Sequence, residues 1–334
     1  MEAKVTDNKN LSSKAKVGLI KRVFAIREMS IASIIIVLMI LMTIFTPGFA
    51  TSSNILTTLI GLSMDGIIAV GMTIVLVLGG IDLSVGSVMA VSSVAAGVLI
   101  SSFNVNVWVA VLLAIILSIA LGAFVGFLIT KIQLNPFITT LSMMSIARGV
   151  AYVFTKGSPI SLGSITKSFD AVGQGDLFGI PNPVLILLVL VIVVDYLMRN
   201  STWFRQIYYV GSNEKAAHLS GINVNRVKMF VYILSALLSG IAGIITLSRF
   251  GVAAPTAGTG AELRAIAGAV IGGASLTGGE GTIWGAILGI ILVALVNNAL
   301  VLMNVSVYWQ SLVTGVVLLG AVVIDIFAHR RKNK

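Results

Sequence analysis

Apolar runs set the frame of this chain. No charged residue falls between Glu28 and Asp65, and the same holds for Leu83–Thr130, Met229–Ser248 and Gly281–Ile324. A helix that crosses a bilayer needs about 20 mostly apolar residues, so the longest runs hold two crossings each. Turn residues divide them. Thr46-Pro47-Gly48 stops a first span at about 30–45, and Gly79-Gly80 breaks a second at about 55–78. A third follows at about 84–101 and a fourth at about 107–129. Asn135-Pro136 opens a fifth at about 137–154, with proline in the first turn, where its missing N–H is tolerated. The remaining spans fall near 184–198, 229–247, 262–274, 282–303 and 306–327. The eighth is short enough to be broken or re-entrant, which is tolerated only where protein or a water-filled path covers it. Residues 156–183, rich in Gly, Ser and Pro, read as a long loop. The pattern predicts an all-α polytopic membrane protein of about ten transmembrane helices. A β-barrel is excluded, because it alternates in segments of roughly ten residues.

Composition agrees. Hydrophobic residues make up 57% and charged residues 10%, against about 25% charged in soluble domains. The net charge of +10 does not point to nucleic acid. Most basic residues sit in loops and tails, where they orient the chain and meet anionic lipid headgroups. If ten spans start inside, 17 of the 22 Lys and Arg residues fall on the inner side. Positive charge stays cytoplasmic, so both ends are expected there. The expected division is a basic cytoplasmic N-terminal tail at 1–29, a membrane domain at 30–327 and a basic cytoplasmic tail at 328–334. The basic start resembles a signal peptide, but its polar part is long and no small-residue cleavage site follows. An interfacial helix at 17–26 fits that tail better. The chain has no cysteine and only two histidines, His218 and His329, which leaves no room for disulfides, thiol catalysis or Cys-metal sites.

The most informative polar stretch is Arg199–Lys228, with five basic residues and one acid, Glu214. Helix formers at 213–220 lie between Gly211 and Gly221. Gly221 suits a helix C-cap, and either Ser212 or Asn213 suits the N-cap. A short surface helix results, too short to stand alone in water. Two further glycine-rich stretches accompany it: Gly79-Gly80-Ile81-Asp82-Leu83-Ser84-Val85-Gly86, and Ile271-Gly272-Gly273-Ala274-Ser275-Leu276 with Gly279-Glu280-Gly281-Thr282.

These three stretches, in this order, resemble the permeases of ABC importers of the ribose/galactose/xylose class, over nearly the whole chain from about Thr51. The resemblance implies that Gly211, Asn213, Ala216, Ala217, Ser220, Gly221 and Ile222 form a coupling helix that docks in a groove of an ATPase subunit. It further implies a bacterial cell (inner) membrane location and an extracytoplasmic sugar-binding protein. A second permease chain, identical or related, is expected by the symmetry of most oligomers. The chain contains no Gly-Lys pair, so no phosphate-binding loop of the G-x-x-x-x-G-K-[ST] type exists. ATP and Mg are therefore expected in the partner ATPase, no cofactor or metal in this chain, and no chemistry of its own. Ala217→Arg is the variant expected to separate the two subunits.

Candidate residues for the helix break and the solute path are Gly79, Gly80, Asp82, Ser84, Asp65, Arg148, Asn297 and Asn298. Asp65 and Arg148 fall inside predicted spans, where a charge costs about 2.5–3.5 kcal/mol on insertion scales. Either they approach each other, or they line the path, or one lies at an interface. Of Asn297 and Asn298, one is expected to join helices and the other to offer its amide to a polar solute. Glu262 and Arg264 read as interfacial anchors. Small residues at four-residue spacing (Ser235, Ser239, Gly243; Gly281, Gly285, Gly289; Gly122, Gly126) predict close helix packing. Gly79-Gly80-x-x-Leu83-Ser84-x-Gly86 echoes Gly272-Gly273-x-x-Leu276-Thr277-x-Gly279, as a weak parallel repeat would. Ribose is the favoured solute. An ion-coupled secondary transporter of a small polar solute is the alternative, with Asp65 as its intramembrane acid; a passive channel is a third.

Overall fold

The computed structural model describes residues 27–323 apart from 164, 165, 307, 311, 314, 317, 318, 321 and 322. The expected interfacial helix at 17–26, most of the N-terminal tail, the end of the tenth span and the C-terminal tail lie outside the described residues. Twelve helices follow in order: α1 (Arg27–Phe45), α2 (Ser52–Val77), α3 (Val85–Ser101), α4 (Val107–Thr130), α5 (Pro136–Thr155), α6 (Lys167–Gln174), α7 (Asn182–Asn200), α8 (Thr202–Ser212), α9 (Glu214–Leu219), α10 (Val224–Phe250), α11 (Ala261–Ile271) and α12 (Ile283–Leu302). Seven of them (α1, α2, α4, α5, α7, α10 and α12) are long and apolar enough to cross a membrane, and α3 is a shorter apolar helix. The protein is thus a polytopic helical membrane protein. The described residues between 308 and 323 are also helical.

The starts of these helices are written in polar caps. Asn106 Oδ1 accepts from the Trp108 N–H at 2.9 Å, and Asn135 Oδ1 from the Phe137 N–H at 2.9 Å. Thr282 Oγ1 accepts from the Gly285 N–H at 3.0 Å. Each satisfies an orphan donor of a first turn.

Helix α10 is the centre, packed against α2, α3 and α4. Its contacts are close because the facing residues are small. A methyl group added to Gly71 would lie 3.2 Å from the Ser235 Cα, and one on Gly122 would lie 2.6 Å from the Tyr232 carbonyl oxygen. Gly243 abuts Met89, and Ser92 Oγ donates to the Gly240 carbonyl at 3.0 Å. Gly285 and Gly289 meet the Gly272 and Gly268 carbonyls in the same way. The small-residue stripes are therefore packing lines, as small residues allow backbones to approach. Apolar side chains of α1, α4, α5 and α7, such as Ile40, Leu112, Val153 and Ile192, stay exposed on the outside.

The stretch read as a loop at 156–183 has structure. Strand β1 (Ile160–Ser161) pairs with β4 (Val252–Ala253), β2 (Asp176–Leu177) pairs with β3 (Ile180–Pro181), and α6 lies between. Phe169 of α6 is fully buried, and its carbonyl accepts from Ser248 Oγ at 2.5 Å. Eight residues carry too few apolar positions to show a helical period, so α6 forms by docking on α10.

The eighth span does not cross by itself. Helix α11 has 11 residues, about 16 Å at 1.5 Å per residue, roughly half of a hydrocarbon core of about 30 Å. The other half is irregular chain. Ala253 lies against Gly97 and Gly258 against Gly86, positions about 16 Å apart along α3. Residues 252–260 therefore run inward along α3 before α11 begins. The turn at 78–84 is its counterpart on the other side, leading from the end of α2 to the start of α3. The two helix starts meet where Gly86 and Gly258 touch.

Candidate coupling site and membrane-depth cluster

The polar break between α7 and α10 is shorter than its charges suggest, because α7 reaches Asn200 and α10 begins at Val224. Helix α8 fills its first half, with Ile207 and Val210 turned inward. Helix α9 follows at once. Asn213, not Ser212, is its N-cap: Oδ1 accepts from the Ala216 N–H at 2.9 Å. At the other end Gly221 takes a φ of +83°, the Ile222 N–H donates to the Ala217 carbonyl at 3.1 Å, and the Gly221 N–H donates to that of His218 at 3.0 Å. This is the Schellman closure that a left-handed glycine permits. Ser220 Oγ closes on the Ala216 carbonyl at 2.9 Å, and Lys228 Nζ meets Glu214 Oε1 at 2.7 Å.

Helix α9 stands proud of the protein. Ala217 is its one inward residue, at 4% exposure, whereas Leu219 is 90% exposed at the tip. Ala217→Arg would thus unseat the helix rather than block a partner, and Leu219, which the sequence motif leaves out, is the helix's exposed large apolar side chain. An open groove of about 830 Å³ runs beside α9, bordered by Gln133, Lys215, His218 and Ile222.

The three glycine-rich stretches converge directly above α9. The Gly279 N–H donates to the Val77 carbonyl at 2.8 Å. Gly211 sits against that same carbonyl, so closely that a methyl group there would overlap it. A methyl group on Gly278 would lie 2.7 Å from the Gly211 carbonyl oxygen and 2.8 Å from the Gly79 Cα. Tyr208 of α8 donates to the Gly281 carbonyl at 2.9 Å, and burial pushes its phenol pKa up, which keeps it a donor. The end of α2, the end of α8, which leads straight into α9, and the turn after α11 therefore touch backbone to backbone.

The internal echo is present with a shifted register. The Gly79 N–H donates to the Leu76 carbonyl and the Gly80 N–H to that of Val75; in the same pattern the Gly273 N–H donates to the Val270 carbonyl and the Ala274 N–H to that of Ala269. The left-handed residues are Gly79 (φ +84°) and Gly273 (φ +108°). Gly79 thus corresponds to Gly273, not to Gly272 as the sequence alignment has it.

Asp82 is buried inside the first break. Its Oδ1 accepts from the Ser84 N–H at 3.0 Å and from Ser84 Oγ at 2.6 Å, and its Oδ2 accepts from Ser235 Oγ at 2.8 Å. The carboxylate thereby ties the break to α10. Ser84 is the residue before α3.

Asp65 and Arg148 do not meet. Asp65 is held by Arg264 of α11, with Nε to Oδ2 at 2.8 Å and Nη2 to Oδ1 at 3.0 Å. Arg148 Nη1 instead donates to the Pro255 and Ala257 carbonyls at 2.6 and 2.8 Å. The reason is the inward run of 252–260, which brings Arg264 to the middle of α2 and offers Arg148 carbonyls left without secondary-structure partners. Arg264 is accordingly not an interfacial anchor. Asn298 joins helices: its amide and that of Asn54 exchange hydrogen bonds at 2.8 and 3.1 Å. Asn297 is half-buried on the same helix and makes no side-chain hydrogen bond among the described residues. No group of three metal-ligating side chains occurs among the described residues.

Residues 54–322 match the family model described as "Branched-chain amino acid transport system / permease component". The chain belongs to this family of permease components. It is 42% identical to the ribose import permease protein RbsC of Escherichia coli (strain K12), over 87% of this chain and 91% of that one. The RbsC protein of Bacillus subtilis (strain 168) is 42% identical over 86% and 89% of the two chains. The L-arabinose transport system permease protein AraH of Escherichia coli (strain K12) is 38% identical over 89% and 90%. Comparison with solved structures returns no match.

Proposed function

We propose that this permease is the membrane subunit of an ATP-driven ABC importer for a monosaccharide, ribose first, in the bacterial cell membrane. The observation that carries this reading is identity of 42% along nearly the full length to proteins named as ribose import permeases. The family description speaks of branched-chain amino acids, but the relatives at this level of identity are sugar permeases. L-Arabinose is the second solute to test, on the strength of a 38% identical relative.

In this reading both ends of the chain are cytoplasmic and about ten segments lie in the membrane, the eighth as a half-crossing. Helix α9 faces the cytoplasm and docks on a separate ATPase, with Leu219 entering an apolar pocket of that subunit. Closure of the ATPase would push on α9, and the glycine junction would pass the displacement to α2 and α11 without slack, since backbone contacts do not yield as long side chains do. Such a rigid-body step between two packings is an ordinary mode of switching. A second permease copy completes the path, and a sugar-binding protein delivers solute from outside. The ion-coupled alternative loses its main support, because Asp65 is closed on Arg264 with both oxygens.

The test is ribose uptake in cells lacking their own ribose permease and supplied with this chain, a matching ATPase and a binding protein. Uptake should require ATP and survive collapse of ion gradients. Uptake driven by a sodium or proton gradient, without the ATPase, would contradict the importer reading.

A further inference from the structure

We propose that residues 252–260 and the Asp65–Arg264 pair line the solute path at half the depth of the membrane, and that Thr256 and Thr259 offer their hydroxyls to a neutral, polyhydroxylated solute. This deepens the importer reading and rests on it for the nature of the solute.

Depth comes first. Asp65 lies in the middle of α2, about 20 Å from its start and about 18 Å from its end at 1.5 Å per residue. Arg264 meets it there, so the start of α11 and the last residues of the segment before it lie at that level, while Arg148, inside α5, holds the Pro255 and Ala257 carbonyls just ahead of them. Irregular backbone at that level survives only where protein buries it or water reaches it. Protein does not bury it fully. Thr256 and Thr259 are exposed, and the side chains of Arg264 and Asp65 remain 28% and 26% exposed. Thr256 Oγ1 makes no hydrogen bond among the described residues, while Thr259 Oγ1 donates to the Thr256 carbonyl at 2.7 Å and keeps its lone pairs. A lipid-facing surface would not present hydroxyls and an ion pair together; a wet lining does.

Chemistry comes second. The Arg264 guanidinium spends Nε and Nη2 on Asp65 and turns Nη1 to the Thr259 carbonyl at 3.3 Å. Arg148 is likewise held by two carbonyls. With Glu262 beside them, the four ionisable groups of this layer sum to zero charge. The wall therefore offers hydroxyls and compensated charge rather than a free cation or anion. That suits a sugar and gives no separate anchors for the carboxylate and ammonium of an amino acid.

The absence of cysteine from the chain makes the test direct. Thr256→Cys and Thr259→Cys are assembled with the ATPase in membranes and treated with a charged methanethiosulfonate, with Ile116→Cys on the outer face of α4 as the lipid control. Thiols react as thiolates, which need water, so modification of Thr256→Cys should run at least about tenfold faster than that of Ile116→Cys, and should abolish [14C]ribose uptake. Thr256→Ser, which keeps the hydroxyl, should lose less uptake than Thr256→Val, of the same shape, which should lower it several-fold. Labelling no faster than the lipid control, or rapid labelling that leaves uptake intact, would overturn the proposal. If the cysteine-free chain takes up no ribose while Thr256→Cys still labels fast, the wet lining stands and the assignment of ribose falls.

Discussion

The two ends of α11 hold together by opposite means. At its finish, the turn 272–281 meets Val77, Gly79 and Gly211 through backbone atoms, and glycine is what allows the approach. At its start, Arg264 meets Asp65 through side chains, across an irregular segment that brings them to the same depth. The first junction is rigid and tolerates no side-chain volume. The second has charge and exposed hydroxyls, and it leaves room. A transporter needs both: a part that passes displacement on faithfully, and a part that can open around a solute.

Substitutions separate the two. The largest effect is expected at the junction. Gly211→Val places its Cβ on the Val77 carbonyl, and overpacking against backbone should cost about 3 kcal/mol or more, read as a lower unfolding midpoint in detergent and loss of uptake. Arg264→Ala comes next. It leaves Asp65 charged at membrane depth without its partner, a loss below the about 3–5 kcal/mol of a fully buried pair because both side chains stay partly exposed, and the paired change Asp65→Ala with Arg264→Ala should recover part of it. A pair that recovers nothing would show that the two side chains act separately. Smaller still, Asn298→Ala removes the exchange with Asn54 and should cost about 0.6 kcal/mol, the mean for such bonds between membrane helices. The smallest effect on stability belongs to Leu219→Asp, within about 0.5 kcal/mol because the side chain touches little of its own protein, yet capture of the ATPase should fall at least about tenfold.

What was legible in the sequence follows the same division. The long spans, an N-cap at either Ser212 or Asn213, the left-handed Gly221 and the packing stripes were readable, because each depends on local periodicity or on one residue's backbone freedom. The convergence of Gly79, Gly211 and Gly278 was half readable: the motifs stood out, but not that they touch. The membrane-depth cluster was not readable. The choice of Arg264 over Arg148 as partner for Asp65 depends on 252–260 folding inward, and that follows from how α3 and α10 pack, not from any periodic pattern. Leu219 was missed for another reason: a single apolar residue in a polar helix looks ordinary until its side chain is found pointing away from everything.

The central claim is that an outside ATPase drives this chain through α9. Its most direct test is ribose uptake into proteoliposomes holding the permease, the ATPase and the binding protein, with ATP inside, comparing the natural chain with Leu219→Asp. The account predicts ATP-dependent uptake that collapses in the variant while its unfolding midpoint stays unchanged. Equal uptake by both chains, or uptake that needs no ATP, would contradict it.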